Sequence, residues 1–199
     1  MTEPLSADQT AEVRAFVRIQ VRSGYVEPSD IPEVTVDYFT GTYPKERVIS
    51  AATEALEAEV ALLRAEEATW PAVTDYDRLT AAFADIEGRG VLAREDYACC
   101  RNCGIKEALV ELEEASAEGQ SFTGFAFFHM QDTERVVEGG PLMICFGDRE
   151  GTDGGTEHVG QLVVAALRAA GLRTEWNGSP DSRIEVHMQW LRRSPWLTV

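Results

Sequence analysis

The feature that most constrains this chain is a pair of apolar runs set between helical patterns. Thr123-Gly-Phe-Ala-Phe-Phe-His-Met130 and Pro141-Leu-Met-Ile-Cys-Phe-Gly147 are short, rich in aromatic and branched residues, and bounded by turn-forming residues. Such runs read as strands buried in a sheet. Apolar residues recurring at helical spacing predict a helix over 104–117 through Ile105, Ala108, Leu109 and Leu112. They predict another over 157–170 through Val159, Leu162, Val163, Ala166 and Leu167, ended by Gly171. Residues 183–191 alternate Ile184, Val186, Met188 and Trp190, as a half-buried strand does. With a weaker strand over 91–99, where Arg94-Glu95-Asp96 intrudes, and one helical turn over 133–138, the order from residue 91 is β-α-β-β-α-β. The expected fold class is α+β, a helical N-terminal part followed by a ferredoxin-like βαββαβ antiparallel sheet with its helices on one face.

The first 72 residues are read as helical and separate from residues 73–199. Phe16, Val17 and Val21 share a face of a helix over 8–22, and Val48, Ala52, Leu56, Val60 and Leu63 form the stripe of a second, from Lys45 to about Thr69. Between them residues 25–44 carry Pro28, Pro32 and Pro44, and read as a long connection in which Val34-Thr35-Val36 forms a short extended piece. Pro71 marks the seam. A helix over 75–88 follows, with Thr74 and Asp77 spaced as a capping box.

Charge narrows the function classes. Of 199 residues, 34 are acidic and 18 basic, for a formal net charge of −16. This balance opposes phosphate, so nucleic acid is not an expected partner. No run of about 18 apolar residues is present, so no membrane span is expected. The N-terminal residues show neither a basic n-region nor an apolar h-region, so cytosol is expected. The negative charge is spread along the chain, which suits a solvated surface and, more sharply, a face for a basic protein partner.

Two segments carry chemistry. Cys99-Cys100-Arg101-Asn102-Cys103-Gly104 stands where the weak strand meets a helix. Unpaired N–H groups at a helix start stabilise a thiolate. Three readings stay open: packed structural thiols, a zinc site completed by Cys145 or His129, and Cys-x-x-Cys redox chemistry. In a ferredoxin-like sheet the first and third strands are parallel neighbours, so Cys145 is expected to converge with Cys99 and Cys100, with His129 at the opposite edge.

The second segment is His129-Met-Gln-Asp-Thr-Glu134. Period two places Phe125, Phe127, His129 and Gln131 on one face and Asp132 on the other. His129 with Gln131, Asp132 and Glu134 suits a polar site for acid–base chemistry or a metal. Equally, Asp132 or Thr133 makes an ordinary N-cap and Glu134 suits the first turn of a helix. No Gly-x-Ser-x-Gly, Walker loop, GxGxxG or HExxH motif is present.

From Thr74 to Arg193 the chain resembles a family of uncharacterised bacterial proteins, a domain of unknown function widespread in actinobacteria. The resemblance rests on Asp77-x-Leu79, Ala82-Phe83, Cys99-Cys100-x-x-Cys103-Gly104 and Gly124-Phe125-x-Phe127-x-His129-x-Gln131-Asp132-Thr133-Glu134. It continues through Gly171-Leu172, Glu175-Trp176-x-Gly178 and Arg183-Ile184-x-Val186 to Trp190-x-Arg192-Arg193, and Phe128 stands where that pattern has Tyr. The resemblance implies no activity. The expected function is a non-enzymatic cytosolic protein acting through a protein partner, regulatory or immunity-like. The alternative is a thiol-redox or zinc-binding protein built on the Cys99-Cys100-x-x-Cys103 cluster, and the sequence leaves enzymatic activity and oligomeric state open.

Overall fold

A computed structural model describes residues 4–197. They form two compact units, one running to Ala72 and taking in the C-terminal segment from Leu191, the other Val73–Trp190.

The first unit holds α1 (Ala7–Ser23), α2 (Ile31–Tyr38) and α3 (Lys45–Glu67). Ser6 and Gln9 start α1 with a reciprocal capping box, and Gly24, in the left-handed region at φ 72°, ends it. Val13, Val17 and Val21 of α1 bury against Val48, Ala52 and Leu63 of α3, with Ile31 and Val36 of α2 filling the same core. Residues 25–44 were expected to be a connection with a short extended piece at Val34-Thr35-Val36, and residues 31–38 within it are helical. Pro32 sits in the first turn, where its missing N–H costs nothing, and Ile31 and Thr35 bury one above the other at helical spacing. That burial overrides the strand preference of Val34-Thr35-Val36. The C-terminal segment joins this unit through polar contacts. Arg192 donates to the Gly24 carbonyl and lies 4.2 Å over the Tyr25 ring, and Ser194 N–H donates to Glu67 at 2.8 Å.

The second unit runs α4 (Asp75–Gly88), β1 (Val91–Arg94), α5 (Arg101–Ala117), β2 (Gly124–Phe127), α6 (Met130–Val137), β3 (Leu142–Asp148), α7 (Asp153–Ala169), β4 (Arg173–Glu175) and β5 (Ile184–His187). The Thr74–Asp77 capping box is present. The fold is α+β, but the sheet is not ferredoxin-like. It has five strands in the order β1-β2-β3-β5-β4, with β1 and β2 parallel neighbours and the remaining pairs antiparallel. The α5 crossover places β2 directly beside β1, leaving no room for β3 between them. Helices cover both faces, not one. Ala108 and Leu112 of α5 pack on Phe125, Phe127 and Cys145. On the other face Phe83 of α4 meets Phe128 edge-on, and Gly160 of α7 lets Phe146 and Trp176 approach. β4 was not expected, since three residues reading Arg-Thr-Glu carry no apolar alternation. No helix among the described residues is long and apolar enough to cross a membrane.

Candidate functional site

Because β1 and β2 are parallel, the segments leaving their C-terminal ends emerge side by side. The two stay hydrogen-bonded past the strands: Tyr97 N–H donates to the Phe128 carbonyl at 2.8 Å and Met130 N–H to the Ala98 carbonyl at 3.2 Å. The first segment takes an unusual path. Asp96 (φ 48°) and Ala98 (φ 59°) both lie in the left-handed region, a conformation that costs a non-glycine residue on the order of 1 kcal/mol. Thr133 Oγ1 donates to Asp96 Oδ1 at 2.5 Å, so α6 holds the turn in place. The two cysteine-bearing and histidine-bearing segments are thereby tied into one edge of the sheet.

Out of this turn come the three thiols. Cys100 is the N-cap of α5, in extended backbone, and Cys103 stands in the helix's first turn. Adjacent residues in a regular strand point to opposite faces. The chain has left the strand before Cys99, and the sulfurs of Cys99, Cys100 and Cys103 all lie within 4.8 Å of one another. Cys99 is exposed; Cys100 and Cys103 are half-buried. The Cys103 backbone N–H, followed by its thiol, holds the Cys100 thiol below its ordinary value. The Cys99 and Cys100 side chains push Cys103 the other way, up to about 11. The next residue fixes the approach of the helix: a Cβ on Gly104 would lie 2.5 Å from Phe127 Cε2, so only glycine lets α5 start this close to β2.

Cys145 does not join these thiols. β3 is separated from β1 by β2, and Cys145 pairs with Phe127, buried at 2% exposure. It belongs instead with His129 and Asp132, whose ligand atoms fall within 4.8 Å of its own. His129 therefore lies at the same sheet edge as the cysteine segment, not at the opposite one. His129 is the N-cap of α6, and Asp132 is its third residue, because the helix begins at Met130, earlier than the expected start at 133. That turn of chain also lifts Gln131 off the strand face, and it is exposed. Glu134 is half-buried; burial, and after it Glu138 and Asp96, raises its carboxyl above the ordinary range.

The buried set has its own cation. Arg183, the residue before β5, gives Nη1 to both oxygens of Asp132 at 2.9 and 3.1 Å, and the same nitrogen lies 3.4 Å from His129 Nε2 and 4.0 Å from Cys145 Sγ. Asp132 is fully buried and also accepts from the His129 backbone N–H at 3.4 Å. His129 Nε2 is 3.0 Å from Asp132 Oδ2, while its buried Nδ1 has no hydrogen-bond partner. Burial outweighs the Asp132 charge and lowers the His129 pKa, which keeps the ring neutral near pH 7. Burial likewise pushes the Cys145 thiol up.

The sequence offered every member of this set as a site residue except Arg183, which entered only through the resemblance and lies 51 residues beyond Asp132. Its only local signal is a charge at the mouth of an alternating strand. A third group was also missed: Glu175, Glu185 and His187, brought together by the β4–β5 pairing. Glu175 and Glu185, with Arg183, line an open cavity of about 400 Å³.

No curated protein and no solved structure matches the chain. One family model does, a domain of unknown function, and it spans residues 6–194, which takes in the helical first unit as well as the sheet and both cysteine-bearing sites. The chain belongs to the family of this domain of unknown function, DUF6891.

Proposed function

We propose that the chain is a thiol protein that holds a zinc ion on Cys99, Cys100 and Cys103. The observation that carries the reading is the gathering of three sulfurs within 4.8 Å at the start of one helix. Sulfur donors suit a thiophilic ion, and zinc is the usual occupant of such sites. The helix N-terminus offsets the negative charge of three thiolates. A zinc ion uses all three thiols, whereas packing does not explain Cys99, which is exposed. The reading places the chain in the cytosol, where thiols stay reduced.

One observation favours a second reading. Cys100 is held low and Cys103 high, the asymmetry of a nucleophilic and a resolving thiol in a Cys-x-x-Cys disulfide exchanger.

Metal content and thiol count on untagged protein separate these readings. The expected result is one zinc per chain with three thiols protected from alkylation, and loss of both in Cys103→Ser. Metal-free protein with a Cys100–Cys103 disulfide, or with a fast-reacting Cys100, gives the redox reading. Metal-free protein with inert thiols overturns both and returns the acidic chain to a role through a protein partner.

A further inference from the structure

The three-thiol cluster lacks a fourth ligand, and the reason is visible in the fold. Tetrahedral zinc takes four donors. Among the described residues, no fourth His, Cys, Asp or Glu ligand atom falls within 4.8 Å of all three sulfurs, and the neighbouring His129, Asp132 and Cys145 form a separate buried set. Arg183 already occupies the middle of that set, with one nitrogen at 2.9 Å from Asp132, 3.4 Å from His129 and 4.0 Å from Cys145. Burial makes Cys145 a poor thiolate donor as well. On its other side the cluster opens outward, because Cys99 is exposed and Cys100 and Cys103 are only half-buried.

An open position on zinc admits either water or a substrate, and the donor set chooses between them. Three thiolates give the +2 ion a net charge of −1, which weakens it as a Lewis acid and as a generator of hydroxide. A soft anionic ligand suits such a centre better than water does. Its added charge is accommodated here. The cluster sits on the positive end of α5, a helix of 17 residues, and the first residue of that helix, Arg101, is an exposed cation whose charge is felt as far as His129 and Cys145.

Resting on the zinc reading, we infer that the fourth position of the Cys99–Cys100–Cys103 site is kept for an incoming thiol, so that the protein binds a thiol compound as its thiolate on the metal. The step is coordination alone. The incoming S–H releases its proton to solvent, the sulfur lone pair enters the vacant position, and no electrons are transferred. A net charge of −16 disfavours acidic thiols, so the compound is one that is neutral apart from its sulfur.

Cobalt(II) in place of zinc makes the thiolate count visible, through the sulfur-to-cobalt charge-transfer band and the d–d bands. The metal-free full chain is titrated with Co(II) without oxygen, and N-acetylcysteine methyl ester is then added; the corresponding serine ester is the control. The expected result is one Co(II) per chain with a three-thiolate spectrum that is lost in Cys103→Ser and unchanged in Cys145→Ser and His129→Gln. On addition of the thiol the charge-transfer intensity rises by about one-third, as the thiolate count goes from three to four. The serine ester leaves it unchanged. A spectrum that ignores the thiol at millimolar concentration overturns the inference and leaves the zinc reading standing. So does an initial spectrum altered by Cys145→Ser or His129→Gln, which would mean that the protein closes its own site. Failure to bind Co(II) or zinc at all overturns the zinc reading, and the inference with it.

Discussion

Cys145 and Cys103 are thiols held at the same strand, β2: Cys145 pairs with Phe127 across the β2–β3 ladder, and Cys103 precedes Gly104, the residue on which α5 approaches the Phe127 ring. Their surroundings are opposite. Cys145 is buried, with the Asp132–Arg183 ion pair and His129 against it, so its thiol has a cation nearby and almost no exposure to solvent. Cys103 faces two further thiols, at a surface that Cys99 leaves open. The same donor type thus serves cohesion in one place and is left available in the other. What separates them is whether the chain supplies the counter-charge. Arg183 completes the buried set from within, whereas the thiol cluster has the field of a helix end and the exposed Arg101 beside it, which leaves most of the charge of three thiolates for the proposed zinc ion to balance.

The comparison breaks most strongly at Asp132. Asp132→Ala leaves the Arg183 guanidinium facing His129 and Cys145 with no carboxylate; because that side chain keeps 23% of its exposure, the expected cost is about 1.5–3 kcal/mol. The melting temperature is expected to fall by roughly 3–12 °C in calorimetry. Alkylation of the buried Cys145 is expected to be faster in this variant than in the parent. Cys103→Ser in metal-free protein is the matching change on the other side, and as a replacement at a half-exposed site it is expected to stay within about 0.5 kcal/mol of the parent. Similar losses from both would mean that the cluster is itself part of the core.

Gly104→Ala tests how the cluster is positioned. The added Cβ meets the Phe127 ring at 2.5–2.6 Å, so α5 must move away from β2. An overpacked contact of this kind costs about 1–3 kcal/mol. Because Cys103 precedes this residue and Cys100 caps the same helix, zinc affinity measured by chelator competition is expected to fall as well. A stability loss with unchanged zinc affinity would show that the thiols hold their own arrangement without the helix.

Ala98→Gly works on the strained turn. At φ 59° glycine carries no Cβ penalty, and Ala98 contributes only its backbone carbonyl, which Met130 uses and glycine keeps. The variant is expected to gain about 1 kcal/mol in urea unfolding of the metal-free protein, and a loss would show that the turn bears no strain.

Much of this arrangement was legible in the chain, and the part that was not has a common cause. The strands around Phe125–Phe127 and Ile144–Phe146, the helix through Val163 and Leu167, and the nomination of the cysteine and histidine segments all follow from local pattern. Local pattern does not say which strand lies beside which. A β-α-β-β-α-β order is compatible with β3 beside β1 and with β2 beside β1, and the choice decides whether Cys145 meets Cys99 or His129. Arg183 was hidden for the same reason: its partner Asp132 is reached only through the β3–β5 pairing. At Ile31–Tyr38 the signal was present but outweighed, because burial of Ile31 and Thr35 decided for helix against β-branched residues.

The smallest expected effect is a pH dependence, and it separates His129 from Glu134, which share α6 and its cap. Burial lowers the His129 pKa from 6.5, so as pH falls below that value the unfolded chain takes up a proton that the folded one refuses. The stability His129 contributes is therefore present above pH 6.5 and is lost on acidification. Asp132 pulls the other way and Arg183 with burial, so the net direction is set by burial. Glu134 runs in the opposite sense. Its carboxyl is raised above 4.5, so acidification protonates the folded form first and relieves a destabilising charge. Between pH 7 and 5.5 the melting temperature of His129→Gln is expected to fall less than that of the parent. As pH falls on towards 4.5, that of Glu134→Gln is expected to fall more than the parent's, since it lacks the compensating gain. Parallel curves for all three proteins would mean that His129 titrates as it does in the unfolded chain, and that the Asp132–Arg183 pair, not the imidazole, carries the buried site alone.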